Sequence, residues 1–304
     1  MHSDPSLSTH ETRRAAPKKR LLTQQQRADL RRVVGKLLVT LPAFALGITF
    51  FLPLAWLLSS SLKTPQQIFD LPPVWIPKPV MWSNYVKALT AGNFGVYFRN
   101  TMILAVTTSV GVTLSSTMVA YGFSRIEWPG RDALFFLLLS TMMIPFHVTL
   151  IPLYIVFSKI GWIGTYLPLI VPYFTGGTFY IFLLRQFFRT IPQDLTDAAK
   201  IDGCSELGIL WRIMLPLARP AIAVVVLFRV LGAWGDFTEP LIYVQRMSQF
   251  TLSLGLMLFR GQHNTQWELL MAATTAVLAP TLIVFFLAQR TFIEGITFTG
   301  LKGA

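Results

Sequence analysis

Cysteine, histidine and acidic side chains are scarce in this sequence, and each scarcity excludes a class of site. The single cysteine, Cys204, excludes an internal disulfide and any metal site built from several thiolates. Four histidines lie far apart, without the spacing of zinc ligands; they are His2, His10, His147 and His263. No nucleophile elbow, helical histidine pair or phosphate-binding glycine loop is present. We therefore expect no metal, no cofactor, no catalytic residue and no ATP hydrolysis by this chain itself.

Charged residues are also few, at 13% of the 304 residues, whereas 53% of the residues are hydrophobic. A membrane-spanning helix needs roughly 20 largely apolar residues. Six stretches approach or exceed that length: Leu37–Leu58, Thr101–Phe123, Ala133–Phe157, Tyr166–Leu184, Ala221–Ile242 and Trp267–Ala288. The sequence therefore predicts an all-α, polytopic membrane protein with six transmembrane helices in a lipid bilayer.

Residues 1–36 form a basic N-terminal tail that indicates the orientation of the protein. Its lysines and arginines are Arg13, Arg14, Lys18, Lys19, Arg20, Arg27, Arg31, Arg32 and Lys36. Such clusters stay in the cytoplasm. The apolar run that follows is longer than the core of a signal peptide and no small-residue cleavage site follows it, so we expect it to be a retained anchor. With six spans, both termini, the loop "SRIEWPGRD" and the segment 185–220 are then cytoplasmic.

The tail has few apolar residues, and we expect it to have no packed structure. The net charge of +12 would also suit a nucleic-acid partner. However, no base-reading motif accompanies the charge, so we interpret the tail as a solvated segment near anionic lipid headgroups and expect no nucleic acid. Residues 37–304 are the membrane domain.

The segment "IPQDLTDAAKIDGCSELGILWRIMLPLARP", residues 191–220, is unusually polar for a chain of this composition. Pro192 suits the first turn of a helix, where Asp194 and Asp197 would face the positive end of the helix dipole. Gly203 suits a left-handed helix end, and Ser205 suits the cap of a second helix. The sequence therefore predicts two short helices joined by a turn, between the fourth and fifth spans.

Each of these short helices has a predicted apolar face. In the first, Leu195, Ala198 and Ala199 share a face, and the two alanines leave room for close approach by another surface. In the second, an apolar stripe runs until Pro216 ends the helix, and its members are Leu207, Leu210, Trp211 and Met214. Two hypotheses explain such a helix pair: it rests on lipid headgroups, or it docks another protein.

The residues of this segment favour docking. "DAAKIDGCSELGILWRIMLPLARP" resembles the cytoplasmic coupling motif of binding-protein-dependent ABC importer permeases, which reads Glu-Ala-Ala, two variable residues, Asp-Gly, and about nine residues later an apolar residue, Leu and Pro. An acidic residue replaces the usual Glu, and Cys204 stands where Ala is usual. The positions that fill the pattern are Asp197, Ala198, Ala199, Asp202, Gly203, Leu215 and Pro216.

Other stretches are similar to the carbohydrate branch of that family, the maltose and glycerol-phosphate type. They are "AYGFSRIEWPGRDALFFLLLSTMMIPFHVTLIPLY", "MWSNYVKAL", "GAWGDFTEPLI" and the terminal "EGITFTGLKG". The resemblance places the family core at about residues 95–290. In the third stretch Gly235 replaces the usual Asn, and Glu239 stands where an aromatic residue is common.

The resemblance implies a permease subunit that is not an enzyme and that forms half of a translocation pathway for a sugar or sugar-like solute. It implies a second, similar permease chain, two cytoplasmic ATPase subunits and an extracytoplasmic solute-binding protein. ATP is bound by the ATPase subunits, and residues 192–216 would dock on them. Closure of the ATPase dimer would move this segment as a rigid body.

The residues alone leave two other functions open. A secondary transporter would need discontinuous spans in paired halves and intramembrane acids for ion coupling. A membrane-embedded enzyme would need clustered catalytic groups at membrane depth, and only Arg229, Asp236 and Glu239 come near that requirement.

Arg229 falls near the middle of the fifth predicted span, about 14 Å from Pro220 at a rise of 1.5 Å per residue. A charge at that depth needs water or a partner. Asp236 lies on the same helical face but about 10 Å further along, too far for a direct pair. We therefore expect a partner on another span or a solvated cavity. Either Arg229, Asp236 and Glu239 border the translocation pathway, with Trp234 offering an aromatic face to a sugar ring, or they brace neighbouring spans.

Overall fold

The computed structural model describes the backbone of residues 24–261 and 265–300 and the side chains of residues 35–261 and 265–289. The chain divides after Ala55 into two compact units. Within the described residues the regular structure is helical, and no strand is present. The α-helices are α1 Gln24–Ser61, α2 Ser83–Thr90, α3 Phe94–Arg125, α4 Arg131–Ser140, α5 Phe146–Lys159, α6 Leu167–Ile170, α7 Thr178–Thr190, α8 Asp194–Ile201, α9 Glu206–Ile209, α10 Leu215–Leu217, α11 Arg219–Gly235, α12 Thr238–Tyr243, α13 Leu252–Gly255 and α14 Trp267–Gly300.

Four helical stretches of the described chain are long and apolar enough to cross a membrane. They are Gly35–Ser61, Phe94–Arg125, Leu167–Thr190 and Trp267–Gln289, and each contains most or all of a predicted span. Two further pairs of helices are sharply bent where they join: Arg131–Met143 with Phe146–Lys159, by 96°, and Glu206–Leu217 with Arg219–Gly235, by 81°. If each pair counts as one span, the number of spans is six. The structure thus supports a helical membrane protein with four to six spanning helices.

The third predicted span, Ala133–Phe157, is not one straight helix. α4 continues into a short 3₁₀ turn at Thr141–Met143, and α5 then starts at Phe146 with a bend of 96°. Pro145 explains the break, because proline forces the residue before it out of the helical conformation. Ile144 is accordingly extended, with φ −80° and ψ 115°.

The fifth predicted span, Ala221–Ile242, is also interrupted. α11 ends at Gly235, Asp236 is extended, and α12 starts at Thr238. The side chain of Asp236 accepts a hydrogen bond from the backbone N–H of Glu239 at 3.2 Å. This bond stabilises a new helix start and competes with continuation of the first helix.

The fourth span contains a break that the sequence analysis did not predict. A 3₁₀ turn at Val171–Thr175 joins α6 to Gly176, which has φ +92° and so favours glycine. This turn lies close against α3, because a Cβ on Gly111 would be only 2.6 Å from the ring of Phe174. The absence of a side chain at Gly111 therefore permits the close packing.

α3 is the central helix of the second unit, and α7 and α11 pack against it. We call α8 and the stretch from α9 to α10 the polar helix pair. At one end of α3 a buried apolar cluster joins α3 to this pair, through residues such as Tyr121, Phe188, Ile209 and Met214. Two further clusters lie around other parts of α3 and include Tyr97 and Leu104. The polar helix pair is therefore packed onto the end of the helix bundle.

The structure describes the predicted basic tail only from Gln24 onward. Residues 1–23 lie outside the described residues. From Gln24 onward the chain is helical and continuous with the first span. Residues 24–36 are therefore helical, and the absence of packed structure in the tail stays a prediction.

Candidate coupling segment and cleft

The polar segment forms the predicted pair of short helices. α8 ends before Gly203, which has φ +80°, and the Ser205 hydroxyl accepts a hydrogen bond from the Gly208 N–H at 3.2 Å. Both features were predicted. Two boundaries differ: Pro192 precedes the first turn of α8, and Pro216 lies within the last turn, α10, instead of ending the helix. A π-helical turn, Leu210–Met214, carries the chain from α9 to α10.

One side of this helix pair is buried against the bundle. Thr196 and Ala199 of α8 are buried, as are three residues of the second helix: Ile209, Leu210 and Met214. Ala199 therefore does not share an exposed face with Leu195 and Ala198, which are on the solvent side. The predicted apolar stripe of the second helix is divided in the same way, because the core contacts only one edge of it.

The other side of the pair is exposed and unusually apolar. Leu195 is 44% exposed, Ile201 87%, Leu207 63% and Trp211 53%, and Ala198 is exposed between them. Isolated exposed apolar residues are common, but several on one small motif indicate an interaction surface. We call these five residues the exposed face.

Two sets of polar contacts tie the segment to the end of α3. The Tyr121 hydroxyl donates to Glu206 Oε2 at 2.5 Å, and Lys200 Nζ lies 2.9 Å from Glu206 Oε1. Arg125 donates to Gln193 Oε1 at 2.5 Å. The same guanidinium also donates to the backbone carbonyls at the end of α7 and just beyond it. Sequence reasoning missed Tyr121 and Arg125, because no local spacing pairs them with a segment some 70 to 85 residues away.

The remaining residues of the motif are positioned by the turn and the last helical turn. Asp197 accepts a hydrogen bond from Gln193 Nε2 at 3.3 Å, and Asp202 forms the exposed end of α8. Leu215 packs partly against the buried cluster, whereas Pro216 is exposed. The motif residues thus lie together on one small structure.

A second site is the cleft where α11 ends. Arg229 is 8% exposed, its Nε donates to Thr108 Oγ1 at 2.8 Å, and its guanidinium carbon lies 3.5 Å from the centre of the Tyr173 ring. The partner on another span that the sequence analysis expected is therefore Thr108 of α3. A cleft of about 400 Å³ is lined by Phe146, Tyr173, Arg229, Gly232, Gly235, Asp236, Phe237, Thr238 and Glu239.

The structure brings Arg229, Asp236 and Glu239 to this cleft but not Trp234. The indole N–H of Trp234 donates to the Val277 carbonyl of α14 at 3.0 Å, and its ring lies edge-on to Phe98 of α3. Trp234 is 8% exposed. These contacts join α11 to α14 and α3, and Trp234 does not line the cleft with the other three residues.

The described residues hold no group of three or more His, Cys, Asp or Glu side chains placed to bind a metal ion. The first site presents an exposed apolar surface, and the second is a cleft lined by one arginine and two carboxylate side chains.

Comparison with known proteins identifies the family. Residues 111–297 match the family described as "Binding-protein-dependent transport system inner membrane component", and this range covers more than half of the chain. The chain belongs to this family. It is a transmembrane permease subunit of an ABC importer, and in such systems the ATPase is a separate subunit. This decides against the secondary-transporter and membrane-enzyme alternatives.

Curated relatives match most of the chain. The arabinooligosaccharides transport system permease protein AraQ of Bacillus subtilis is 31% identical over 89% of this chain and 97% of its own length. The diacetylchitobiose uptake system permease protein NgcG of Streptomyces coelicolor is 31% identical over 80% of this chain and 82% of its own length.

The fold is similar to that of a solved importer. A chain of a bacterial ABC transporter involved in the import of the acidic polysaccharide alginate superimposes with a TM-score of 0.75 at 20% identity, over 89% of this chain and 98% of that chain. Another structure, of a bacterial alginate ABC transporter in complex with alginate pentasaccharide-bound periplasmic protein, gives a TM-score of 0.63 at 16% identity, over 86% of this chain and 97% of that chain.

Proposed function

We propose that this permease forms half of the translocation pathway for a sugar or short oligosaccharide. The names of the relatives support the class of solute: AraQ belongs to an arabinooligosaccharide system and NgcG to a diacetylchitobiose system. A second, similar permease chain supplies the other half, and an extracytoplasmic binding protein delivers the solute. The chain needs no cofactor of its own, because ATP is bound by two cytoplasmic ATPase subunits.

The observation that carries the coupling proposal is the exposed face of the polar helix pair. Its apolar side chains project from a motif that is anchored on its other side by buried residues and by the Tyr121–Glu206 hydrogen bond. A surface that is apolar outside and fixed inside suits rigid docking on a second protein. We infer that the ATPase subunit covers this face and that its motion is transmitted to α3 through the same anchors.

Six spans give the orientation that this coupling requires. If the chain crosses the membrane six times, as the apolar runs predict, four crossings separate the basic N-terminal tail from the polar helix pair, and both then lie on the cytoplasmic side, which positive charge favours. The protein then spans the cell membrane with both termini in the cytoplasm, and the binding protein approaches from the opposite side.

The cleft at the end of α11 is the part of this chain that we assign to the pathway. It is polar, it lies where the helix is interrupted, and it is lined by Arg229 and two carboxylates. Interrupted backbone at membrane depth is tolerated where it lines a cavity. This favours the pathway hypothesis over simple bracing of spans.

Replacing Gly203 by Val tests the coupling proposal. The left-handed backbone at Gly203 strongly disfavours a β-branched residue, so the turn and the exposed face should be displaced. We expect loss of the ATPase subunit on co-purification and loss of transport. Ala198→Asp should do the same, by placing a charge within the docked face.

Two matched controls separate docking from folding. Gly161 also has a left-handed backbone, φ +73°, with open space around it, but lies between α5 and α6. Gly161→Val should therefore keep the ATPase bound. Gly203→Asn should be milder than Gly203→Val, because Asn adopts this backbone more readily. Full recovery of ATPase and transport with both Gly203→Val and Ala198→Asp would contradict the proposal.

A further inference from the structure

A second, larger cavity lies away from the cleft, at the end of the bundle that carries the polar helix pair. It has a volume of about 600 Å³ and lies between the end of α3, the start of α4 and the end of α7. Its lining residues are Phe123, Ser124, Glu127, Arg131, Asp132, Phe135, Phe136, Leu139, Phe182, Arg185, Gln186 and Arg189. We call it the arginine pocket.

Three arginines line this pocket, Arg131, Arg185 and Arg189, and the guanidinium of Arg185 is held in place by its neighbours. Arg185 is 6% exposed, its Nε donates to the Phe123 carbonyl at 3.0 Å, and its guanidinium carbon lies 3.9 Å from the centre of the Phe135 ring. Its Nη2 lies 3.2 Å from Asp132 Oδ1. A buried arginine held in this way presents a pre-oriented cation to the pocket.

The charge of the pocket favours an anion. Asp132 is shared between Arg185 and Arg131, the latter at 3.4 Å, so its charge is already compensated. Glu127 is exposed at the edge of the pocket. Arg189 is exposed and has no ion pair among the described residues. With three arginines against two carboxylates, the lining carries a surplus of one positive charge.

Below the arginines the lining becomes apolar. Leu139 lies eight residues after Arg131 on the same helical stretch, about 12 Å deeper at 1.5 Å per residue. Phe136 is 69% exposed and Phe182 36%, so both rings are open to the surroundings of the bundle. The pocket is therefore cationic at the end of the bundle and apolar along its side.

This layering matches a phospholipid. Arginine pairs with phosphate oxygens through two parallel hydrogen bonds, and basic pockets between transmembrane helices bind anionic headgroups. We propose that the arginine pocket binds one anionic phospholipid, with the headgroup phosphate on Arg185, Arg189 and Arg131 and an acyl chain along Phe136 and Phe182. The proposal requires only that this end of the bundle lies at a membrane surface, and does not depend on the ATPase docking proposed above.

Native mass spectrometry of the assembled transporter, purified with its partner subunits in detergent, tests the proposal. The probes are phosphatidylglycerol and phosphatidylcholine with identical acyl chains. We expect the wild-type complex to bind phosphatidylglycerol more tightly than phosphatidylcholine. Arg189→Gln should weaken phosphatidylglycerol binding by about tenfold, the effect of losing one charge-assisted interaction with phosphate. Arg131→Gln should give a smaller loss, because Arg131 is partly engaged by Asp132.

Arg219→Gln is the matched control. Arg219 is also exposed and begins α11 at the same end of the bundle, but does not line the pocket. The Arg219→Gln complex should bind phosphatidylglycerol as tightly as the wild-type complex. If Arg185→Gln fails to assemble because the residue is buried, the exposed Arg189 variant still decides the question.

Three results would overturn the proposal. Equal binding of the two lipids by the wild-type complex would mean that the pocket does not select an anionic headgroup, or that the second permease chain fills it. Equal losses in Arg189→Gln and Arg219→Gln would mean that binding is unspecific. Complete displacement of the lipid by inorganic phosphate at millimolar concentration would identify a phosphate site that takes no acyl chain.

Discussion

Arg229 is a buried charged residue inside the helix bundle, and it contacts side chains of two other spans. A charged side chain within a spanning helix is costly unless it is hydrogen bonded or solvated. Here it has a hydroxyl acceptor on α3, an aromatic face on the fourth span and an open cleft beside it. Its position therefore links the central helix to the interrupted fifth span.

The contact with Thr108 gives a prediction at the scale of one residue. Thr108→Val keeps the shape of the side chain but leaves Arg229 Nε without its acceptor. Hydrogen bonds to charged groups contribute about 1.5–3 kcal/mol, so we expect a loss of that order in the free energy of unfolding. A lower thermal unfolding midpoint of the purified complex is the expected sign of this loss.

Thr107→Val is the control for that experiment. The Thr107 hydroxyl donates to the Ile103 carbonyl of its own helix and does not contact Arg229. We expect a much smaller change in its unfolding midpoint. An equal effect of the two substitutions would mean that the Arg229 contact contributes little to stability.

The interrupted helices are the main finding at the scale of elements. α11 ends at Gly235 and the chain turns at Asp236, which opens the cleft beside the last helical turn. On a Cys204→Ser background, we expect Asp236→Cys to react with a membrane-impermeant thiol reagent. The labelling rate should change when ATP is trapped in the transporter, because the pathway then opens to the other side of the membrane.

Ala233→Cys is the matched control on the same helix. Ala233 is 4% exposed and packs in the interior, so the cysteine should stay unlabelled under the same conditions. If Asp236→Cys also stays unlabelled in every state, the three polar residues of this region brace the spans and do not border a water-filled pathway.

The N-terminal charge is a property of the whole molecule, because it orients every span at once. Removing residues 2–23 deletes five of the nine basic residues of the tail and leaves Arg27, Arg31, Arg32 and Lys36 next to the first span. These four keep the positive side defined. We therefore expect the truncated protein to insert correctly and to transport nearly as well as the full chain.

Reporter fusions to the C-terminus measure the orientation of the truncated protein. Replacing the four remaining basic residues by Gln in the truncated chain should then produce a fraction of inverted molecules. Correct insertion of the first truncated protein with loss of transport would show a role of the tail beyond orientation.

Patterns within short windows of the sequence were sufficient for several features. Long apolar runs indicated the membrane helices, Gly203 and Ser205 indicated the turn between two short helices, and the resemblance around Asp197–Pro216 indicated the family. Each depends on neighbours in the chain: hydropathy over about 20 residues, a left-handed turn, or a helix cap. Such features are encoded locally.

Only the tertiary structure decided which side of each helix faces the bundle and which residues meet. The sequence could not divide Ala198 from Ala199, because that division depends on where the core lies beneath α8. Nor could it place Trp234 against α14, join Tyr121 to Glu206, or collect three arginines around one pocket. These contacts join residues about 40 to 85 positions apart, and only the packing of helices against one another brings them together.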